Sequence, residues 1–239
     1  LRPRRNGGKR NIRRLDHGAS IAFDFESNTL MIEQNDYDRH FMQHCVTLAR
    51  QARTLGEFPF VSIVVRDGKI ISEAINEVSR ARDLTRHAEL IAISRALGAT
   101  GKMRLRGCAL YTSVEPCPMC AFAIREAQIG RVVYALGSPL MGGASKWNIL
   151  GDDGLSASIP EIFGRRPPVV VGGVLASEAA EVWRTGHPLA WKAISRRGCF
   201  TCEDLTPVGA PRPDGPRVGL FREIWGYVRP RRSLTATQI

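Results

Sequence analysis

Two short motifs constrain this chain more than anything else in it: His87-Ala88-Glu89 and Pro116-Cys117-Pro118-Met119-Cys120. Cysteines three apart at a helix start lie on one face and can hold a single metal ion. At the positive end of a helix their thiols ionise more readily, and thiolate is the form that ligates. Pro116 and Pro118 suit the turn into such a helix and its first position. His87 offers a third ligand from the start of an earlier helix. A fold that satisfies both motifs must set two helix N-termini side by side, each following a strand of one sheet. Three protein ligands leave the fourth position of a tetrahedral zinc open to water, which is the catalytic pattern rather than the structural one. Glu89 is not expected to ligate; it is placed to move a proton.

The surrounding pattern agrees with that demand. Phe41, Cys45, Leu48, Ala49, Ala52 and Leu55 recur at helical spacing over roughly 36–55, and Gly56 stops the helix. Strands at 61–66 and 69–74 flank Asp67-Gly68, a hairpin signal. A helix is expected over 88–97, ended by Gly98, then a strand over 108–112 and a helix over 118–127. Strands at 131–136 and 168–172 and a helix over 177–184 complete the pattern. The Gly/Pro-rich stretch 137–167 is long, holds a short helix near 156–163, and has the length at which loops carry function. Helices alternating with strands predict an α/β fold, a sheet sandwiched as α/β/α.

Charge divides the chain into three parts. The formal net charge is +11, yet residues 15–191 carry 18 basic and 19 acidic side chains. Residues 1–14 hold seven basic groups and no acids, and residues 192–239 hold nine basic and four acidic groups. A footprint for a long phosphate backbone belongs on the folded face, and the central region has no such surplus. Periodicity sets the boundaries: the Arg/Gly-rich start lacks it, the pattern becomes regular from Asp36, and it is lost again beyond about Arg196. Residues 1–35 read as a basic, flexible extension, 36–195 as the metal-dependent domain, and 196–239 as a flexible tail; RNA stays open as a partner through these basic ends. No run reaches the ~18 apolar residues of a membrane span and no apolar secretory segment opens the chain, so a cytoplasmic protein without membrane contact is expected. With six cysteines, C-x-x-C spacing points to metal or redox chemistry before disulfides.

The pairing H-x-E…P-C-x-x-C is the signature of zinc nucleobase deaminases. The resemblance extends to Glu57-Phe58-Pro59-Phe60, to the strand pair ending at Asn76, to Asp83-Leu84-Thr85-Arg86-His87-Ala88-Glu89, and to Leu110-Tyr111-Thr112-Ser113-Val114-Glu115-Pro116-Cys117. These blocks resemble the branch containing tRNA adenosine deaminases and guanine deaminases, closely over 37–136 and more loosely over 137–190. The resemblance implies a cytidine-deaminase-like α/β/α sandwich on a mixed five-stranded sheet, with one zinc per chain on His87, Cys117 and Cys120. It implies that Glu89 passes a proton to the ring nitrogen and the leaving amine while an amino group becomes a carbonyl and ammonia departs. Asn76 would then hydrogen-bond the base or ribose, the Ala88 amide would touch the substrate, and Phe58 would line the pocket of a homodimer. Trp147 is a further candidate, as a platform for a bound base, with core packing as its other reading.

The departures from that pattern bear on substrate. Val61-Ser62 stand where the family often has Gly-Ala, Leu84 replaces a common Pro, and Arg86 replaces a common Ala before the zinc His. The segment 139–153 does not resemble that of the tRNA enzymes. With the near-neutral centre, this points to a free base or nucleoside; tRNA adenosine deamination is the alternative, and a non-catalytic zinc-containing RNA-binding subunit the rival outside enzymology. Glu115 either supports the ligands or serves the helix dipole. His40 and His44 lack a third ligand nearby in sequence and read as surface residues, and Cys199 and Cys202 lack a second Cys/His pair. Trp183 and His187-Pro188 are expected to finish the last helix, although the resemblance also allows C-terminal aromatics to cap a neighbour's pocket.

Overall fold

The computed structural model describes residues 13–14, 20–21 and 27–202. The segments read as basic extension and tail therefore lie largely outside the described residues. The chain divides into two units, 1–41 and 42–239. In the first, β1 (Arg13–Arg14) pairs antiparallel with β2 (Ser20–Ile21), Arg13 opposite Ile21. Helix α1 spans Ser27–Ala52 and enters the second unit. It begins ahead of the apolar stripe because good helix formers such as Glu33 and Gln34 extend a helix without extending its apolar face.

In the second unit Met42, Cys45, Val46, Ala49 and Ala52 are buried. A 3₁₀ turn, Arg53–Leu55, follows, and Gly56 ends it in the left-handed region at φ 71°. Leu55, placed on the buried stripe by its spacing, is 45% exposed, because the tighter turn rotates it off that face. Strands β3 (Val61–Arg66) and β4 (Lys69–Ile75) form the expected hairpin, with Asp67 and Gly68 both at positive φ, the conformation that matches strand twist.

Strands β5 (Cys108–Val114), β6 (Arg131–Leu136) and β7 (Val169–Val171) complete a sheet of order β4-β3-β5-β6-β7. β3 is antiparallel to both its neighbours, and β5, β6 and β7 run parallel. The sheet is mixed and five-stranded. Val64, Leu110 and Val132 lie in register on one face, Ile63, Tyr111 and Val133 on the other, and all six are buried. Central strands buried on both faces require helices on both sides. Helices α3 (Ala88–Thr100) and α4 (Pro118–Glu126) cover the first face, where Ile91, Ala92, Ala96, Ala121 and Ile124 join Val64, Leu110 and Val132 in one core. Helix α7 (Ala176–Gly186) packs against β6 on the other side, giving the α/β/α arrangement.

Several elements depart from the sequence reading. α3 runs through Gly98 and stops at Gly101, which supplies the left-handed cap at φ 63°; Gly98 keeps helical geometry, and a glycine stops a helix only where it takes the left-handed conformation. The single short helix expected near 156–163 is two, α5 (Asp153–Ser158) and α6 (Pro160–Phe163), separated at Ile159 because the residue before a proline leaves the helical region. A four-residue α2 (Val78–Ala81) and a nine-residue α8 (Pro188–Arg196) were not expected. Beyond α8 the chain folds back, and Thr201 exchanges both backbone hydrogen bonds with Gly137 at 3.0 and 2.9 Å. Among the described residues no helix is long and apolar enough to cross a membrane.

Candidate active site

Both motifs sit where strand chemistry gives way to helix. His87 is the N-cap of α3 and Cys117 the N-cap of α4, each with extended backbone, and Pro118 occupies the first helical position. Among the described residues, His87, Cys117 and Cys120 are the group able to hold a metal. Their donor atoms stand 3.6 Å (Cys117 Sγ to Cys120 Sγ), 3.6 Å (Cys117 Sγ to His87 Nδ1) and 3.5 Å (Cys120 Sγ to His87 Nδ1) apart. Ordinary zinc–sulfur and zinc–nitrogen bond lengths in a tetrahedron give edges of about 3.8 Å between sulfurs and about 3.5 Å from sulfur to nitrogen. Donor set and spacing therefore fit zinc.

The electrostatics suit such a site. The Cys120 thiol donates to Cys117, which with His87 beside it lowers the Cys117 thiol to about 4, in the thiolate form that ligates. The same hydrogen bond, together with burial, holds Cys120 well above an ordinary thiol. Burial, and next the charge on Cys117, raise the Glu89 carboxyl to about 7. Ala88 lies between His87 and Glu89 at the first helical position, where the backbone N–H has no acceptor within the helix.

A cavity of about 180 Å³ opens against this cluster, with His87, Glu89, Cys117 and Asn76 in its lining. Its far wall is aromatic. Phe58 stacks on Trp183 at 5.6 Å and 21°, while Phe60 and Phe200 meet Trp183 edge-on at 5.2 and 5.4 Å. Trp183 is 1% exposed; its role is to back the cavity wall, beyond finishing a helix. His187 lies 5.2 Å from Phe58 in the same cluster. Phe60, quoted without a role, and Phe200 were not read as site residues, and Trp183 was weighed only as a cap on a neighbour's pocket; no local signal marks the wall, because it joins segments far apart in sequence.

Two carboxylates line the cavity, Glu89 and Glu115, and their surroundings set them apart. Glu115 accepts from the backbone N–H groups of Ser138, Ala144 and Ser145 at 2.7, 3.1 and 2.6 Å and from Ser145 Oγ at 2.8 Å. It holds the loop after β6 and is committed to that task. Neither role considered for it from sequence describes this. The neighbours of Glu89 are the cluster itself: His87, Cys117 and Cys120.

Asn76 follows β4 and donates from Nδ2 to Glu57, 3.0 Å away, and Glu57 also accepts from the Arg80 N–H at 2.7 Å. Glu57 is a further residue that the sequence reading quoted without a role. Arg86, next to His87, pairs with Glu77, which Arg80 and Arg95 also approach at 2.9 and 3.5 Å. Trp147 does not reach the cavity. It is 56% exposed, because the backbone at Lys146 and Trp147 turns back to bond Gly142 O at 3.1 Å and Asn148 takes positive φ. His44 bonds Glu73 at 2.8 Å, a surface pair, and the ring of His40 lies edge-on to Phe41. Cys199 lines the cavity, whereas Cys202 is exposed, and no third donor joins them among the described residues.

Comparison with known proteins gives the site a context. Residues 35–136 match the model for the cytidine and deoxycytidylate deaminase zinc-binding region. The chain is 35% identical over 145 residues to a tRNA-specific adenosine deaminase of Agrobacterium fabrum, a match covering 61% of this chain and 90% of that one. It is 33% identical over 164 residues to the chloroplastic tRNA(adenine(34)) deaminase of Arabidopsis thaliana, covering 65% of this chain and 12% of that much longer relative. Among solved structures, a guanine deaminase from Nitrosomonas europaea superposes with a TM-score of 0.51 at 27% identity, over 61% of this chain and 81% of that one.

Proposed function

This chain belongs to the cytidine and deoxycytidylate deaminase family, and on that premise we propose that it hydrolyses the exocyclic amino group of a free nucleobase or nucleoside, releasing ammonia. The observation that carries this reading is the contrast between two carboxylates in one cavity: Glu115 is consumed by the loop it anchors, which leaves Glu89 to exchange protons beside the metal ligands. His87, Cys117 and Cys120 would hold one zinc ion, which supplies Lewis acidity and lowers the pKa of a bound water to about 7. Glu89 takes a proton at the reacting end of the cavity and gives it to the ring nitrogen, then takes a second from the hydroxyl added at the amino-bearing carbon and gives it to the departing amine. The Ala88 N–H and the Asn76 carboxamide orient the ring, Phe58 and its aromatic neighbours cover it, and the apolar wall keeps other water away. A cavity of about 180 Å³ is small beside the ~300–1,000 Å³ pockets that take larger ligands, which favours a ring over an extended substrate.

A second reading, deamination of adenosine within tRNA, is favoured by the match that covers 90% of the Agrobacterium relative. In that case the basic ends would grip phosphates. We infer that the active particle is a homodimer: Met119 and Phe122 on α4 are 39% and 45% exposed, Ile159 at the N-cap of α6 and Ile162 within it are 44% and 37% exposed, and α4 and α6 are in contact. Side chains of that kind in one patch mark a surface meant to be covered.

The test is ammonia release by zinc-quantified protein of known particle mass from guanine, adenine, cytosine, their nucleosides and an adenosine-bearing anticodon stem-loop. Release from a base or nucleoside, lost in Glu89→Gln with zinc and mass of two chains retained, is the expected result. Release from the stem-loop alone transfers the function to tRNA. Equal turnover by Glu89→Gln and the parent would remove the proposed mechanism.

A further inference from the structure

Glu57 is 1% exposed and stands between the 3₁₀ turn and β3, on the segment that carries Phe58 and Phe60 into the cavity wall. Among the described residues its carboxyl oxygens accept two hydrogen bonds, both from the segment that follows β4: from Asn76 Nδ2 at 3.0 Å and from the Arg80 N–H at 2.7 Å. The Asn76 backbone N–H is held as well, by Phe60 O at 2.9 Å. Backbone and side chain of Asn76 are thus both anchored to the 57–60 segment.

The chemistry of this contact decides which way the carboxamide faces. One Glu57 oxygen accepts from the Asn76 NH₂ and the other from the Arg80 N–H, so Asn76 presents its NH₂ to Glu57 and its carbonyl oxygen is turned elsewhere. A buried carboxylate is costly compared with an apolar residue of the same size, and what this one gains is a carboxamide that cannot flip. We propose that Glu57 is a positioning residue: it fixes Asn76 so that the carboxamide oxygen is offered to the substrate, which selects a ring or sugar presenting an N–H or O–H at that point. The proposal rests on the reading that Asn76 touches the substrate. Glu115 cannot take this part because its oxygens are committed to the 138–145 loop, and Glu89 belongs to proton transfer.

Steady-state kinetics on the substrate found above, with full-length zinc-loaded protein, test it. In Glu57→Gln the new side chain brings its own NH₂ and lets Asn76 turn over. KM should rise roughly tenfold, the worth of one hydrogen bond, with kcat within about twofold of the parent. Asn76→Asp sets two carboxylates against each other and should raise KM further, and adding Glu57→Gln to it should recover most of that loss, since Gln can donate to Asp. A merely structural Glu57 would give no such recovery. If Glu57→Gln raises KM by the same factor in the Asn76→Ala background as in the parent, Glu57 does not act through Asn76 and the proposal falls. Should Asn76→Ala leave KM unchanged, the substrate contact itself is wrong, and that failure is distinct from the first. Glu57→Asp, measured in the same two backgrounds, replaces Glu57→Gln if the latter does not fold.

Discussion

A Cβ built on residue 142 would lie 2.2 Å from the Glu115 carboxyl, and one on residue 143 would lie 2.4 Å from the Ala121 Cβ. Glycine is needed at both positions for close approach, not for positive φ: the loop after β6 must come near enough for Glu115 to collect three backbone N–H groups. Gly142→Ala should push that carboxylate off its donors and leave buried polar groups unpaired, a loss of about 2–4 kcal/mol in a chemical denaturation curve. A loss below about 0.5 kcal/mol would mean that the loop yields without cost. From sequence, the segment 139–153 that contains Gly142 and Gly143 stood out only as unlike the tRNA enzymes. The partner that explains it, Glu115, lies at the end of another strand, and no pattern along the chain joins them. The metal cluster was legible for the opposite reason: residue type and spacing specify ligands directly, and each lies at a helix start that local signals reveal.

The elements themselves were readable where one residue fixes one conformation. Asp67-Gly68 marked the β3–β4 hairpin, and Pro118 marked the start of α4. They were less readable where two glycines offer the same stop and only one takes the left-handed conformation, as at Gly98 and Gly101, or where an element is short, as with α2 and α8. The link from β4 to α3 belongs with these. Glu77 sits between them, hydrogen-bonded to Arg86 and near Arg80 and Arg95, and the Arg86 hydrogen bond first of all lowers its carboxyl below the ordinary value of 4.5. A carboxyl lowered on folding stabilises the folded chain fully above its unfolded pKa and loses that contribution as pH falls through the folded one. The parent should therefore lose stability relative to Glu77→Gln as pH falls from about 5, while the gap between them stays constant from pH 6 to 8. Thermal melting across that range checks it; a constant gap down to pH 3 would show that the ion pairs do not stabilise the link. The exposed arginine partners keep the effect modest.

At the scale of the molecule, the cavity draws on 57–60, 76–89, 114–117, 138–141 and the stretch from Trp183 to Phe200. The boundary drawn at residue 196 from lost periodicity runs through that wall, since Cys199 and Phe200 line the cavity and Thr201 is tied to Gly137. A chain ended after residue 198 should show KM raised about tenfold and a lower melting temperature. One ended after residue 202 should match the full chain on a free base. On a stem-loop, the same second truncation should weaken binding and flatten its salt dependence if the basic end grips phosphates. Equal behaviour of both truncations would show that Phe200 contributes nothing to the wall. The fold-back has a consequence for the order in which the protein becomes an enzyme. The metal ligands leave the ribosome some eighty residues before Phe200 does, so a growing chain passes through a stage in which the reactive end is in place while the pocket is still open to water. A chain caught at that stage holds the residues of the metal cluster and Glu89 but lacks Cys199 and Phe200, the part of the wall that is made last.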